Sequence, residues 1–206
     1  MRALTVFVLL LSAGGVQPAP VNMLANGDAR AGRQHWVPRM NHQLPTREQA
    51  KDATIEDCDG VPCFVVRNGM AWQQRIRLLE DQSGKYVLLI ATASSERVYQ
   101  DDNITGLPYL WARLWTEPPA LLPGTVLQGM RIQPRTANQW MTMHGIFPVP
   151  KGIVSMDVML GQGERKGTPQ NGSAARVKDV EVRFFDTEAA AQEYVARYNA
   201  AHDSGR

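Results

Sequence analysis

The sequence predicts an all-β chain, an antiparallel β-sandwich closed by one C-terminal α-helix. Three observations lead there. Short apolar or alternating runs recur from Cys63 onward, each bounded by Gly, Pro, Asn or Asp. No helical periodicity separates these runs, as it would in an α/β chain. The final segment alone carries apolar residues at helical spacing, and it is preceded by capping residues.

The chain opens on Met1-Arg2, an apolar run from Ala3 to Leu11, and the small residues Ser12-Ala13-Gly14-Gly15. A positive start, an apolar stretch and a small-residue cleavage region form a secretory signal. The run is about half the length, roughly 20 residues, that a membrane-spanning helix needs. Residues 1–19 are therefore read as a signal peptide, with Gly15 and Ala19 both acceptable at the cleavage point. Residues 20–185 are read as the sandwich, and 186–206 as the helix and tail. The expected location is the periplasm or the cell exterior, with no membrane span.

At 206 residues with 44% hydrophobic content, the chain has the size and apolar fraction of one packed domain. Its 22 Lys and Arg against 20 Asp and Glu leave no excess of cations to displace counterions, which excludes nucleic acid and an anionic membrane as partners.

The segment from 33 to 57, with Pro38, Pro45 and many polar side chains, reads as a long surface loop. Cys58 and Cys63 enclose Asp-Gly-Val-Pro, which has turn chemistry, and in an oxidising compartment they are expected to form a disulfide. Metal binding is disfavoured because two Cys without a neighbouring His supply half a zinc shell. Strands follow at Cys63–Val66, ending on Asn68-Gly69, and at Trp72–Leu79, where Trp72, Gln74, Ile76 and Leu78 share one face. Ser83-Gly84 turns the chain into a buried strand over Lys85–Ala93. Tyr109–Thr116, Thr125–Ile132, Trp140–Phe147, Ile153–Leu160 and Ala175–Phe185 complete the set. Asp186 or Thr187 can cap the helix, Glu188 suits its first turn, and Ala191, Tyr194, Val195 and Tyr198 form a stripe expected to dock on the sandwich.

The order of several motifs resembles that of the secreted, cellulase-associated carbohydrate-binding modules, which are galactose-binding-like jelly rolls. Residues 22–28, Asn-Met-Leu-Ala-Asn-Gly-Asp, followed by Gly32 and Trp36, are similar to the family's opening. Trp72-Gln73-Gln74 through Leu79, then Ser83-Gly84-Lys85-Tyr86, resembles its middle signature. Trp140 to Val149 and Gly172 to Val180 resemble its later strands. The likeness spans residues 22–185 and implies a jelly roll that binds sugar without catalysis. Two positions depart from the pattern. The family's structural calcium ion is held by an acid two positions after the Asn-Gly-Asp turn and by an acid pair in the last strand. Here these positions are Arg30 and Lys178-Asp179. Two cations oppose a calcium site, which needs six to eight oxygen ligands. No metal is expected, and Arg30 is expected to pair with Asp179 in its place.

Along Tyr109–Trp115 the side chains alternate. Leu110, Ala112 and Leu114 share one face, and Tyr109, Trp111, Arg113 and Trp115 the other. Aromatic rings stack on sugar C–H faces, and guanidinium groups bond hydroxyl or carboxylate oxygens, so this face has the groups a sugar-binding surface needs. The opposite reading, with the aromatics in the core, is equally open to the alternation itself. Arg75, Arg77 and Gln73 extend the polar face from another strand. Enzymatic readings find less support, because no nucleophile elbow exists, His144 lies alone in a strand, and Asp157 has no evident partner. The sequence reads as a noncatalytic module binding carbohydrate, with no cofactor. The alternative is a jelly roll that contacts an envelope protein or another partner.

Overall fold

The structure is a computed structural model that describes residues 19–41, 43–100, 104–116, 121–163 and 172–203, the stretch 121–131 by its backbone. Residues 1–18 of the expected signal peptide lie outside these residues.

Among the described residues, ten strands form two five-stranded antiparallel sheets. In chain order they are β1 (Val37–Met40), β2 (Ala53–Cys58), β3 (Val61–Val66), β4 (Met70–Arg77), β5 (Tyr86–Ser95), β6 (Pro108–Thr116), β7 (Leu121–Arg131), β8 (Met141–Pro148), β9 (Ile153–Gln162) and β10 (Ala175–Phe185). One sheet runs β1-β4-β9-β6-β7 and the other β2-β3-β10-β5-β8. The helix α1 (Glu188–Asp203) follows β10. The chain is thus the predicted β-sandwich of jelly-roll type with a C-terminal helix.

Turn chemistry sets the β2–β3 hairpin and the passage of the chain from β3 to β4 in the other sheet. Cys58 pairs with Val61 across Asp59-Gly60, and Met70 N donates to Arg67 O across Asn68-Gly69. Both central residues of each turn have positive φ, from 51° to 83°; in the β2–β3 hairpin this combination matches the twist of the strands, while Asn68-Gly69 reverses the chain between the two sheets. The Cys58–Cys63 disulfide forms as expected and ties β2 to β3. The segment 33–57 is not a loop throughout, because it contributes β1, a short 3-10 helix (Gln49–Asp52) and β2. Its polar residues are tolerated because β1 and β2 are edge strands, and Pro38 sits where an absent N–H costs least.

Between the sheets, Trp72, Ile76, Leu110, Ala112, Leu114, Met156, Val158 and Leu160 meet Phe64, Val66, Leu89, Ala91, Val177 and Val182. Phe64 lies between the rings of Trp36 and Trp72, at centroid distances of 4.9 and 6.1 Å. The core face of β10 changes parity, with Ala175 and Val177 buried first and Val180, Val182 and Phe184 after them. The register shift between Lys178 and Glu181 accounts for this, with Asp179 at φ 52° as the bulged residue. The bulge turns backbone groups toward the N-terminal segment. Val180 N donates to Gly27 O, and Asn22 Nδ2 donates to Val180 O. A Cβ at Gly27 would run into that carbonyl, so the glycine of the Asn-Gly-Asp turn permits the approach.

The even residues Leu88 and Ile90 of β5 face away from the sheet interface and are covered by Ala191, Val195 and Tyr198 of α1. This explains why the strand reads as apolar on both faces. Thr187 caps the helix, its Oγ1 accepting from Ala190 N (3.2 Å).

Candidate functional site

The alternation in β6 separates the two faces. Leu110, Ala112 and Leu114 are at most 1% exposed in the core, while Tyr109, Trp111, Arg113 and Trp115 stand half-buried on the outer face. The reading that places the aromatics in the core is therefore overturned.

Strand register arranges this outer face as four rows across β4, β9 and β6. Ala71, Gly161 and Tyr109 form the first, Gln73, Met159 and Trp111 the second, Arg75, Asp157 and Arg113 the third, and Arg77, Ser155 and Trp115 the fourth. Rows two residues apart lie about 7 Å from one another, so the four rows extend roughly 20 Å, the reach of a short oligosaccharide. In the first row Tyr109 leans across Gly161, where a Cβ would strike the phenol. Tyr109 and Trp111 stack with centroids 6.4 Å apart. Met159, beneath the second row, is 3% exposed.

Asp157 organises the lower half. It is 4% exposed and accepts the Arg75 fork, Nε at 2.7 Å and Nη2 at 2.8 Å, together with Trp115 Nε1 at 2.8 Å. Gln73 also bonds it, and Arg39 Nε donates to Gln73 Oε1 (2.8 Å), so the network crosses to β1. Burial pushes the Asp157 carboxyl up, but the bonds from Arg75, Trp115 and Gln73 outweigh it and hold the group below the usual carboxylate value. The Arg75 guanidinium lies 5.4 Å from the Trp115 ring and that of Arg113 5.0 Å from the Trp111 ring. The Trp rings and Arg75 are thus held in place without a ligand.

The structure brings together every residue read as a site candidate on this face: Tyr109, Trp111, Arg113, Trp115, Arg75 and Arg77. Gln73, expected to extend the face, joins them; the structure adds Arg39, which the sequence reading missed, and supplies the partners of Asp157 that the sequence could not. An aspartate in the middle of an apolar strand is a signal in itself, since a buried carboxylate requires a partner, but its partners lie on two other strands. His144 stands exposed on β8, in the other sheet.

A cleft of about 510 Å³ opens beside the third and fourth rows, lined among others by His35, Arg75, Arg77, Leu79, Glu80 and Gln82. It exists because β1 covers β4 only from Met70 to Gln73. Beyond that point Gln74 turns inward and clamps the Ala25 amide, accepting from its N–H at 2.9 Å and donating to its carbonyl at 2.8 Å.

The family's calcium position does not have a donor set that fits the ion. Asp28 takes the Arg30 backbone N–H and lies 3.4 Å from its guanidinium. Asp179 faces His202 Nε2 at 3.6 Å, and its carbonyl accepts from Tyr198 Oη. Glu181 accepts from Arg183 and Tyr194. Among the described residues, no three His, Cys, Asp or Glu side chains are placed to share a metal. Arg30 therefore pairs with Asp28 and not, as expected, with Asp179. The bulge aims Asp179 toward the end of α1, while Arg30 stays exposed on the N-terminal loop.

No family model matches the chain, and no curated protein sequence matches it. Solved structures do. The enzymatically active domain of bacteriophage CBA120 tailspike protein 4 aligns with 80% of this chain at 14% identity and a TM-score of 0.54, and the chain spans 21% of that protein's length. The module TmCBM61, solved with β-1,4-galactotriose, aligns over 79% of this chain and 97% of its own at 11% identity and a TM-score of 0.49. The CBM22-1 xylan-binding domain from Paenibacillus barcinonensis Xyn10C aligns over 83% and 99% at 7% identity and a TM-score of 0.49. These are likenesses of fold.

Proposed function

We propose that this chain is a secreted, noncatalytic carbohydrate-binding module whose ligand lies along the outer face of β4, β9 and β6. The observation that carries the reading is the half-exposed row of Tyr109, Trp111 and Trp115, fixed by arginines and by a buried aspartate. Rings held in place lose little freedom when a sugar stacks on them, which favours binding by a flat polar face. Asp157 supports these side chains rather than reacting. Its oxygens are already engaged, and hydrolysis of a glycosidic bond ordinarily uses two carboxylates flanking that bond. Among the described residues of the face, Asp157 is the only carboxylate. The signal at residues 1–19 delivers the module to the periplasm or the cell exterior, where polysaccharide is met. Among the described residues no helix is long and apolar enough to cross a membrane.

Affinity electrophoresis of the exported protein against a panel of soluble neutral and acidic polysaccharides tests the reading. Retardation by at least one polymer, lost in Trp111→Ala while urea unfolding shows the variant folded, is the expected result. A folded Trp111→Ala that binds as wild type refutes the residue assignment. Absence of retardation by any polymer favours the alternative, a jelly roll that contacts an envelope protein.

A further inference from the structure

The outer face differs in charge from the chain that carries it. The whole sequence has a formal charge of +2. The described outer face of this one sheet presents Arg39, Arg75, Arg77 and Arg113 against a single carboxylate, Asp157, which is 4% exposed and lies beneath Arg75. Asp157 neutralises one guanidinium, that of Arg75. Arg39 bonds the neutral Gln73, and Arg113 lies over the Trp111 ring. Arg77 is exposed and makes no ion pair among the described residues.

Arg75 and Arg77 are two residues apart on one strand, so both project from the same face into the cleft at the uncovered edge of β4. Among the described residues, Glu80 is the one carboxylate lining that cleft, and it forms no ion pair with either arginine. The cleft adjoins the third and fourth rows. A chain stacked on Trp111 and Trp115 would therefore bring its ring substituents to these guanidiniums. A neutral polysaccharide needs no such excess of charge, since hydroxyl groups are served by neutral donors as well. Guanidinium forks are matched to planar or tetrahedral oxyanions.

Resting on the sheet-face reading above, we propose that the ligand is an acidic polysaccharide. Its carboxylate or sulfate groups are received by Arg75 and Arg77 in the β4-edge cleft, while its rings stack on Tyr109, Trp111 and Trp115.

Affinity electrophoresis with polygalacturonate, dextran sulfate, galactan and dextran separates the possibilities, and the two acidic arms distinguish carboxylate from sulfate. At least one acidic polymer is expected to bind about tenfold more tightly than the neutral ones, the increment of a charge-assisted bond. That binding should weaken when salt is raised from about 50 to about 300 mM. Arg77→Gln, an exposed position that the core does not need, should lower the acidic affinity about three- to tenfold. Arg197→Gln, which removes the same charge from α1 on the opposite side of the sandwich, should leave it unchanged. Equal binding of neutral and acidic polymers, with no effect of Arg77→Gln, overturns this proposal and leaves carbohydrate binding intact. Equal losses in the two Arg variants overturn it as well, by showing general charge attraction. Acidic binding that responds to Arg77→Gln but not to Trp111→Ala overturns the stacking part and with it the sheet-face reading. No binding to any polymer overturns both.

Discussion

Asp157→Asn is the perturbation that tests how the face is built. The substitution keeps the shape of a side chain that is 5% exposed and removes its charge. Oδ2, which accepts from both Trp115 Nε1 and Arg75 Nη2, can remain an oxygen, but an amide NH2 replaces Oδ1 and meets Arg75 Nε, donor against donor. One charge-assisted bond is lost and the other no longer ends on a carboxylate. Because the Arg75 side chain is 62% exposed, solvent screening brings their worth to the low end of the usual range, about 1–2 kcal/mol. For a domain of this size that lowers Tm by roughly 2–8 °C. The deficit also has a pH signature. The folded Asp157 carboxyl lies below its ordinary value of 3.8, so its stabilisation is fully present above the unfolded value and is lost as pH falls through the folded one. Urea unfolding of both proteins, followed by tryptophan fluorescence at pH 7 and at descending acid pH, reads the effect directly. The gap should be widest at neutral pH and should close in acid. A cycle with Arg75→Gln should show coupling above about 0.5 kcal/mol. Equal stabilities at pH 7, a gap that persists unchanged in acid, or strictly additive effects would each refute the account.

Leu110→Ala opens a cavity between the sheets at a fully buried position and should cost about 2–5 kcal/mol in the same urea assay, while Leu79→Ala, 88% exposed, should be nearly neutral. Replacing Cys58 and Cys63 together by Ser releases a loop with a sequence separation of 5 and should cost about 2 kcal/mol, with folding retained. The same change should alter the fluorescence of Trp140, whose indole donates to Asp59 in that turn, and an unaltered spectrum would contradict the link. Tyr198→Phe removes the donor to the Asp179 carbonyl and the bond to Thr92, and should cost about 1 kcal/mol, measured as a drop in Tm. A neutral Tyr198→Phe would mean that the bulge in β10 does not depend on α1 for its hydrogen bond.

How much of this could be read from the chain depends on the range of the interaction. Alternation in β6 was legible because side chains on a strand alternate between faces whatever lies beside it. It placed Tyr109, Trp111, Arg113 and Trp115 together before any neighbour was known, but not on which side the core lay. The Asp59-Gly60 and Asn68-Gly69 turns, the Cys58–Cys63 clamp and the Thr187 cap are local as well, each set by a few consecutive residues. Edge strands were harder. β1 and β2 bury little, so the segment from 33 to 57 carries too few apolar residues to signal a strand.

What the sequence determined by itself was a two-sided strand pattern, its turns, its helix and a row of aromatic and arginine side chains on one face. Tertiary structure alone decided that this face is the outer one, because only the second sheet provides something for Leu110, Ala112 and Leu114 to bury against. It also decided the role of Asp157, whose partners lie 82 and 42 positions away on strands brought alongside by register. The same holds for Asp179. The sequence suggested Arg30 as its partner, yet one bulged residue turned it toward His202. Local pattern dictates which side chains share a face, whereas the charges that meet across strands follow from pairing register, which no short window of sequence contains.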